Sequence, residues 1–261
     1  MSGAVPGMDG EPVHLSIVSH RQRALVGELL RDLAGCRANQ FTITVLSNTP
    51  EPAPDIPPAL AGKVEHLVNP APAGYGANHN FVFRRCRARF FGVLNPDLRF
   101  PQDPFPALLP AFADPHVAIV APGAVDPLGE VQDNARRLAT IGAVASKTWR
   151  RQRGPDYPQL AGEVSVDWLA GFFLLCRSSA FRDLGGFDER YFLYYEDVDL
   201  CTRVRLAGWR NVWMPAVRII HDARRRSHRH PRYLLWHLAS IGRFFSSPVY
   251  RAARKRRPPR M

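Results

Sequence analysis

Cysteine is scarce: the 261 residues hold four, at Cys36, Cys86, Cys176 and Cys201, and no CxxC pair. That spacing excludes a zinc ribbon and a disulfide framework, and reads as reduced, mostly buried thiols of a cytoplasmic protein. Long apolar runs are missing too. The longest, "WLAGFFLLC", is about half of what a membrane-crossing helix needs. The opening "MSGAVPGMDGEP" has no basic stretch followed by an apolar one, so no signal peptide is expected. There is no internal repeat. "GYGANHN" (74–80) lacks the third glycine of a dinucleotide fingerprint, and no Walker lysine follows it, which excludes the NAD and ATP P-loop readings.

Acid is absent from one region only. From Ala223 onward there are twelve Arg or Lys residues and no Asp or Glu, whereas the preceding residues carry 23 of each sign. The net charge of +12 therefore sits in the C-terminal segment. Such a segment seeks an anionic partner, either nucleic acid or the inner leaflet of a membrane.

Strand-like runs at 13–20, 41–48, 63–69, 90–97 and 116–122 alternate with helical patterns at 22–34, 74–89 and 104–114. This alternation predicts an α/β fold with a mainly parallel central sheet flanked by helices. In such sheets ligands bind beyond the carboxyl ends of strands. Here those ends are Ser19-His20, Ser47-Asn48 and Asn95-Pro96-Asp97, all polar. "DPLGE" (126–130) reads as a turn between two short strands. Residues 135–159 are basic and irregular, a candidate mobile loop. "VSVDWLAGFFLLC" (164–176) predicts a strand pair, "SSAFRDLGGF" (178–187) a short helix ended by glycine, 211–221 strands, and 231–246 an amphipathic helix.

Two acidic places stand out. In "RYFLYYEDVDLCTRVRLAGW" (190–209), Glu196, Asp197 and Asp199 follow a cluster of aromatics, and like charges this close repel. A helix starting near Glu196 puts Asp197 at the head of the stripe Leu200, Cys201, Val204 and Ala207. Asp199 turns elsewhere and can pair with Arg203. A carboxylate held in a pocket wall is what a general base requires; capping and surface pairing are the simpler reading. The second place is "LNPDLRF", where Asp97 follows an apolar strand. With His221, at the end of another strand, it could supply ligands to a divalent cation, though alone it need be no more than a turn.

Taken together, "GYGANHN", "GVLNPD", the whole of 166–209 and "MPAVRIIHDARRRSH" resemble the family 2 glycosyltransferases, and among them bacterial rhamnosyltransferases. The resemblance covers most of 13–240 and is strongest over 164–228. It implies a GT-A fold and an inverting sugar transfer from a nucleotide diphosphate donor, with L-rhamnose from dTDP-L-rhamnose as the expected sugar. By that likeness Asp97 binds Mg²⁺ or Mn²⁺ at the end of a DxD-like motif, and His221 completes the site. Asp197 is the base and Glu196 orients the acceptor. Trp168 and Gly171 fall in the sugar and acceptor pocket, and Ser19, Ser47, Asn48, Gly76, Asn80, Asn95 and Asp97 fall on the donor side. Where the family usually shows Asp-Asn after the second strand, this chain has Ser47-Asn48.

The implied organisation is a disordered 1–12, a transferase domain over 13–228 with a nucleotide-binding half (13–121) and an acceptor half (122–228), and an amphipathic helix with a basic tail over 229–261. A glycan or lipid-linked acceptor and an anionic membrane surface are the implied partners, no nucleic acid is expected, and the implied place is the inner face of the cytoplasmic membrane. Two other readings stand beside this one: a basic nucleic-acid-binding protein, which lacks any recognised module here, and a nucleotidyltransferase-like or inactive scaffold on the same fold.

Overall fold

The computed structural model describes residues 13–36, 41–138, 156–157, 162–223 and 231–256. The expected disorder of 1–12, most of the candidate loop at 135–159 and the last five residues lie outside them.

Twelve strands are described: β1 (Val13–Ser19), β2 (Phe41–Ser47), β3 (Val64–Val68), β4 (Phe90–Leu94), β5 (Leu98–Arg99), β6 (Val117–Val125), β7 (Val131–Gln132), β8 (Ala135–Arg136), β9 (Val164–Val166), β10 (Trp168–Leu169), β11 (Phe173–Arg177) and β12 (Arg210–His221). Ten form one sheet, ordered β3-β2-β1-β4-β11-β6-β12-β5, with β7 added on β6 and β9 on β12; β8 and β10 pair separately.

β1 is buried at every position because it lies inside the sheet with helices on both faces, so its polar side chains are enclosed and partnered: His14 bonds Thr44 at 2.9 Å and Ser16 bonds His79 at 2.7 Å. Alternation survives in the partners that the side chains choose. Phe90 and Leu94 of β4 pack into the core under the Arg23–Gly35 helix, and Phe91 and Val93 into the opposite core. β3, at the edge, is only partly buried.

β1, β2, β3 and β4 are parallel. The sheet departs from an all-parallel pattern at β11, which runs antiparallel between β4 and β6. That reversal positions the site. Phe173, the first residue of β11, pairs with Leu94, the last of β4, so "AGF" meets "NPD", and the Asn95 amide donates to the Phe172 carbonyl at 2.8 Å. At the other edge His221 pairs with Leu98 of β5, bringing the end of β12 beside Asp97.

The predicted strand pair over 164–176 is in fact three pieces, β9, β10 and β11, and the strands of 211–221 are one strand with an irregularity between Met214 and Arg218. "DPLGE" is the turn joining β6 to β7. Asp126 Oδ1 accepts from the amides of Leu128 and Glu130, and Gly129 takes a φ of 85° that disfavours a side chain. Cys86, Cys176 and Cys201 are buried and Cys36 half-buried, all as free thiols. Among the described residues, no helix is long and apolar enough to cross a membrane.

Candidate active site

A cavity of about 760 Å³ opens over the carboxyl ends of β1, β2 and β4. His20 and Arg21 line it after β1, Asn48 after β2, and Asn95, Pro96 and Asp97 after β4. Tyr75 closes its floor, and Phe192, Leu193 and Tyr194 form one wall. Arg232, Tyr233 and Trp236 of the Pro231–Ser246 helix complete the lining.

Asp197 belongs to the Glu196–Leu206 helix, which presents Val198, Leu200, Cys201 and Val204 to the interior. Its Oδ2 accepts from the Gly171 amide at 2.9 Å and its Oδ1 from Val198 at 2.8 Å. Glu196 is 5% exposed. Its Oε2 has no hydrogen-bond partner among the described residues. Burial, then the neighbouring Asp197, raises the Glu196 carboxyl well above the usual range. Burial raises Asp197 as well, opposed by backbone amides. The two titrate as a pair; the amide donors favour the charge on Asp197 and leave the proton on Glu196. Asp199 pairs with Arg203 at 2.6 Å, as the four-residue spacing predicts.

Gly171 links this helix to the strand end at Asn95. Its amide serves Asp197, while its carbonyl lies 2.8 Å from the Tyr75 hydroxyl, which is also 2.9 Å from Asn95 Oδ1. Burial, then Glu196, Asp197 and Asp97 in that order, pushes the Tyr75 phenol well above its ordinary value, so three carboxyls surround one hydroxyl. Tyr75 was missed from the sequence. Its only signal was its place between the two glycines of "GYGANHN".

Asp97 Oδ1 lies 3.5 Å from His221 Nε2. Phe172 stacks on the imidazole at 4.1 Å, and burial lowers His221 to about 4, so the ring is neutral at pH 7. No cluster of three or more His, Cys, Asp or Glu able to hold a metal occurs among the described residues. One carboxylate and one neutral imidazole nonetheless fit a Mg²⁺- or Mn²⁺-type site whose remaining ligands come from phosphate oxygens and water.

Of the predicted residues, Asn48, Asn95 and Asp97 line the cavity; Asp197, Glu196, Gly171, His221, Ser19, Ser47, Gly76, Asn80 and Trp168 lie outside its lining. Asn80 gives its amide to the carbonyl of Phe187, at 2.8 Å, and to Glu189, and accepts from the Phe187 amide at 2.9 Å, so it shapes the 186–189 turn. Gly76 is there for packing, because a Cβ on it would come 2.6 Å from the Phe187 Cβ. Ser47 bonds His66 at 2.9 Å, and Ser19 accepts from the Gln22 amide at 3.2 Å. Asn48 reaches the cavity, but its amide spans the 69–73 loop, accepting from the Ala73 amide at 2.8 Å and donating to the Ala73 carbonyl at 3.0 Å. Trp168 donates to the Arg137 carbonyl at 3.3 Å, and β10, which carries it, packs on the Glu196–Leu206 helix.

The aromatic approach carries strain. Tyr194 and Tyr195 take φ values of 70° and 67°, left-handed conformations that cost a side-chain-bearing residue roughly 1–3 kcal/mol each. The Pro231–Ser246 helix holds this turn. Ser240 Oγ donates to the Leu193 carbonyl at 2.8 Å, Trp236 packs on Phe192 at 4.6 Å, His237 on Tyr194 at 5.0 Å, and Phe244 on Tyr195 at 5.5 Å. The helix expected over 231–246 thus walls the cavity.

Comparison with known families decides the lineage. The model of the family described as "Glycosyltransferase like family 2" matches residues 12–239. The chain belongs to glycosyltransferase family 2. This family 2 chain is 38% identical over 149 residues to the N-acetylglucosaminyl-diphospho-decaprenol L-rhamnosyltransferase of Mycobacterium tuberculosis, covering 53% of the chain and 48% of that protein. It is 44% identical over 85 residues to rhamnosyltransferase WbbL of Escherichia coli, 32% of either protein. It spans about half the length, or less, of these relatives. In fold it matches the mannosyltransferase PcManGT of Pyrobaculum calidifontis, solved with GDP-Man and Mn²⁺, at a TM-score of 0.59 and 15% identity over 92% of this chain and 67% of that one. GalNAc-T7, solved with UDP, GalNAc and Mn²⁺, matches at 0.63 and 12% identity over 81% of this chain and 43% of that one. The architecture is that of the GT-A glycosyltransferases.

Proposed function

We propose that this family 2 protein is an inverting glycosyltransferase that moves a sugar from a nucleotide diphosphate donor to a hydroxyl of a bacterial glycan. The observation that carries the reading is the unbroken line of contacts that ties Asp197, through Gly171, to Tyr75 and Asn95 of the cavity lining, next to Asp97. Asp197, charged and held by two amides, takes the proton of the acceptor hydroxyl as its oxygen attacks the anomeric carbon. Attack opposite the leaving group inverts that carbon. Glu196, kept protonated, is a donor available to orient the acceptor. Asp97 and His221 would hold Mg²⁺ or Mn²⁺, which offsets charge on the departing diphosphate when bound. The residues of 13–121 would then hold the donor and those of 122–228 the acceptor.

L-Rhamnose from dTDP-L-rhamnose is the favoured donor, supported by likeness to two rhamnosyltransferases. The acceptor reading, a lipid-linked glycan at the inner face of the cytoplasmic membrane, draws on a surface feature. Leu234, Leu235 and Leu238 are 60%, 64% and 55% exposed on the helix that walls the cavity. Arg251, Arg254 and Lys255 are exposed on the next helix, Pro248–Lys255. An exposed apolar face beside basic residues suits an anionic bilayer.

A panel of nucleotide-sugars, assayed by thermal shift with and without Mn²⁺, identifies the donor. Asp197→Asn is expected to lower transfer by about 10²–10⁴-fold, the usual worth of a positioned base, and Asp97→Ala to remove the Mn²⁺-dependent transfer, while folding persists in both. Full turnover in both variants ends the proposal. Replacing Leu234, Leu235 and Leu238 together by Ser is expected to abolish co-sedimentation with anionic vesicles, and unchanged sedimentation removes the membrane reading.

A further inference from the structure

We propose that Gln132 is a positioning residue for His221, fixing its imidazole as the Nδ1–H tautomer so that a bare Nε2 faces Asp97. The inference rests on the cation reading above and extends it to a residue of the β6–β7 hairpin.

Gln132 grips His221 at two points. Its Nε2 donates to the His221 main-chain carbonyl at 2.7 Å, and its Oε1 lies 2.8 Å from His221 Nδ1. The first bond decides the second. A carbonyl only accepts, so the amide nitrogen of Gln132 must point at it, which leaves Oε1, also only an acceptor, against the ring. Nδ1 must then carry the proton. In the neutral ring Nε2 is left with its lone pair, 3.5 Å from the Asp97 Oδ1.

Two electron-rich atoms turned toward each other at that distance gain nothing from one another, and a cation between or beside them satisfies both. The other tautomer would let Nε2–H donate to Asp97 and close the pair off. Gln132 therefore keeps this pair open to a cation. Phe172, stacked on the ring at 4.1 Å, restricts tilt, while Gln132 sets rotation and proton position. Gln132 itself is held by pairing with Ala124 across the hairpin. Groups that orient a ligating histidine through its second nitrogen typically account for about 10–100-fold in metal affinity.

The test uses the full chain labelled with ¹⁵N-histidine, without metal. Wild-type His221 should show a protonated Nδ1 and a bare Nε2, and Gln132→Ala should move the ring toward the Nε2–H form. A wild-type Nε2–H form, or a tautomer unaffected by Gln132→Ala, overturns the proposal. In a second arm, free Mn²⁺ is followed by electron paramagnetic resonance during titration in the presence of a nucleoside diphosphate. Gln132→Ala should weaken binding by about 10–100-fold. Gln132→Glu, which keeps an acceptor for Nδ1–H but loses the donor to the His221 carbonyl, should recover part of it. Loss of thermal stability in Gln132→Ala with unchanged Mn²⁺ binding also overturns it. His221→Ala separates the two ideas: if that variant binds Mn²⁺ normally the cation reading falls, whereas if it fails and Gln132→Ala does not, only the role of Gln132 falls.

Discussion

Replacing Tyr75 by Phe removes one oxygen atom at the junction between the strand carrying Asp97 and the helix carrying Asp197. That hydroxyl has two neighbours, the Gly171 carbonyl at 2.8 Å and Asn95 Oδ1 at 2.9 Å. Asn95 is half-buried and lines the cavity, so water can replace the phenol there. Gly171 is buried, and its carbonyl loses its donor. An unsatisfied buried acceptor costs about 1–3 kcal/mol. Near 2 kcal/mol, a domain of this size should lose roughly 4–8 °C in Tm. The catalytic effect comes from the same bond, because the Gly171 amide that holds Asp197 is one atom group away from the released carbonyl. With the carboxylate no longer fixed, kcat should fall by about tenfold or more, since small misplacements of a base are costly, while donor KM changes little. Scanning calorimetry and initial-rate kinetics on the purified variant check both numbers. A Tyr75→Phe protein with wild-type Tm and wild-type kcat would refute the claim that this hydroxyl ties the two halves together.

Gly76→Ala should destabilise the fold by about 1–3 kcal/mol in chemical denaturation, because the new methyl meets the buried Phe187 side chain, with donor KM unchanged. A raised KM with intact stability would return Gly76 to the donor side. Glu196→Gln tests the buried acid through pH. Its folded carboxyl binds a proton more tightly than the unfolded one, so its contribution to stability is full below the ordinary carboxylate range and is lost as pH rises through the raised folded value. The difference in Tm between Glu196→Gln and wild type should therefore grow in the variant's favour from acid to alkaline pH, and a difference that is the same at every pH would refute it.

Much of the scaffold is legible in the chain because burial writes itself into composition. β4 is apolar throughout and β1 is apolar at Val13, Leu15, Ile17 and Val18 since both faces are covered, and the helices at 23–35 and 196–206 keep their apolar spacing. The Asp199–Arg203 pair follows from spacing alone. What spacing does not encode is direction and contact. Nothing in "GFFLLC" says that β11 enters the sheet reversed, yet that reversal carries Gly171 to Asn95. Asn80 and Gly76 sit in a motif that looks polar and open, and their partner, Phe187, is more than a hundred residues away. Tyr194 and Tyr195 give no local hint of positive φ, because tyrosine has no preference for it; the helix at 231–246 imposes the turn from outside.

That turn has a practical side. A chain with exposed leucines and a cluster of arginines near its end invites trimming when a better-behaved sample is wanted. Cutting before Pro231 would take away Ser240, His237 and Phe244 together, and the two tyrosines could then relax to ordinary backbone angles, dragging Glu196 and Asp197 with them. A shortened preparation could keep its sheet, stay in solution and still be inert, so activity lost on trimming would not by itself point to a lost bilayer contact.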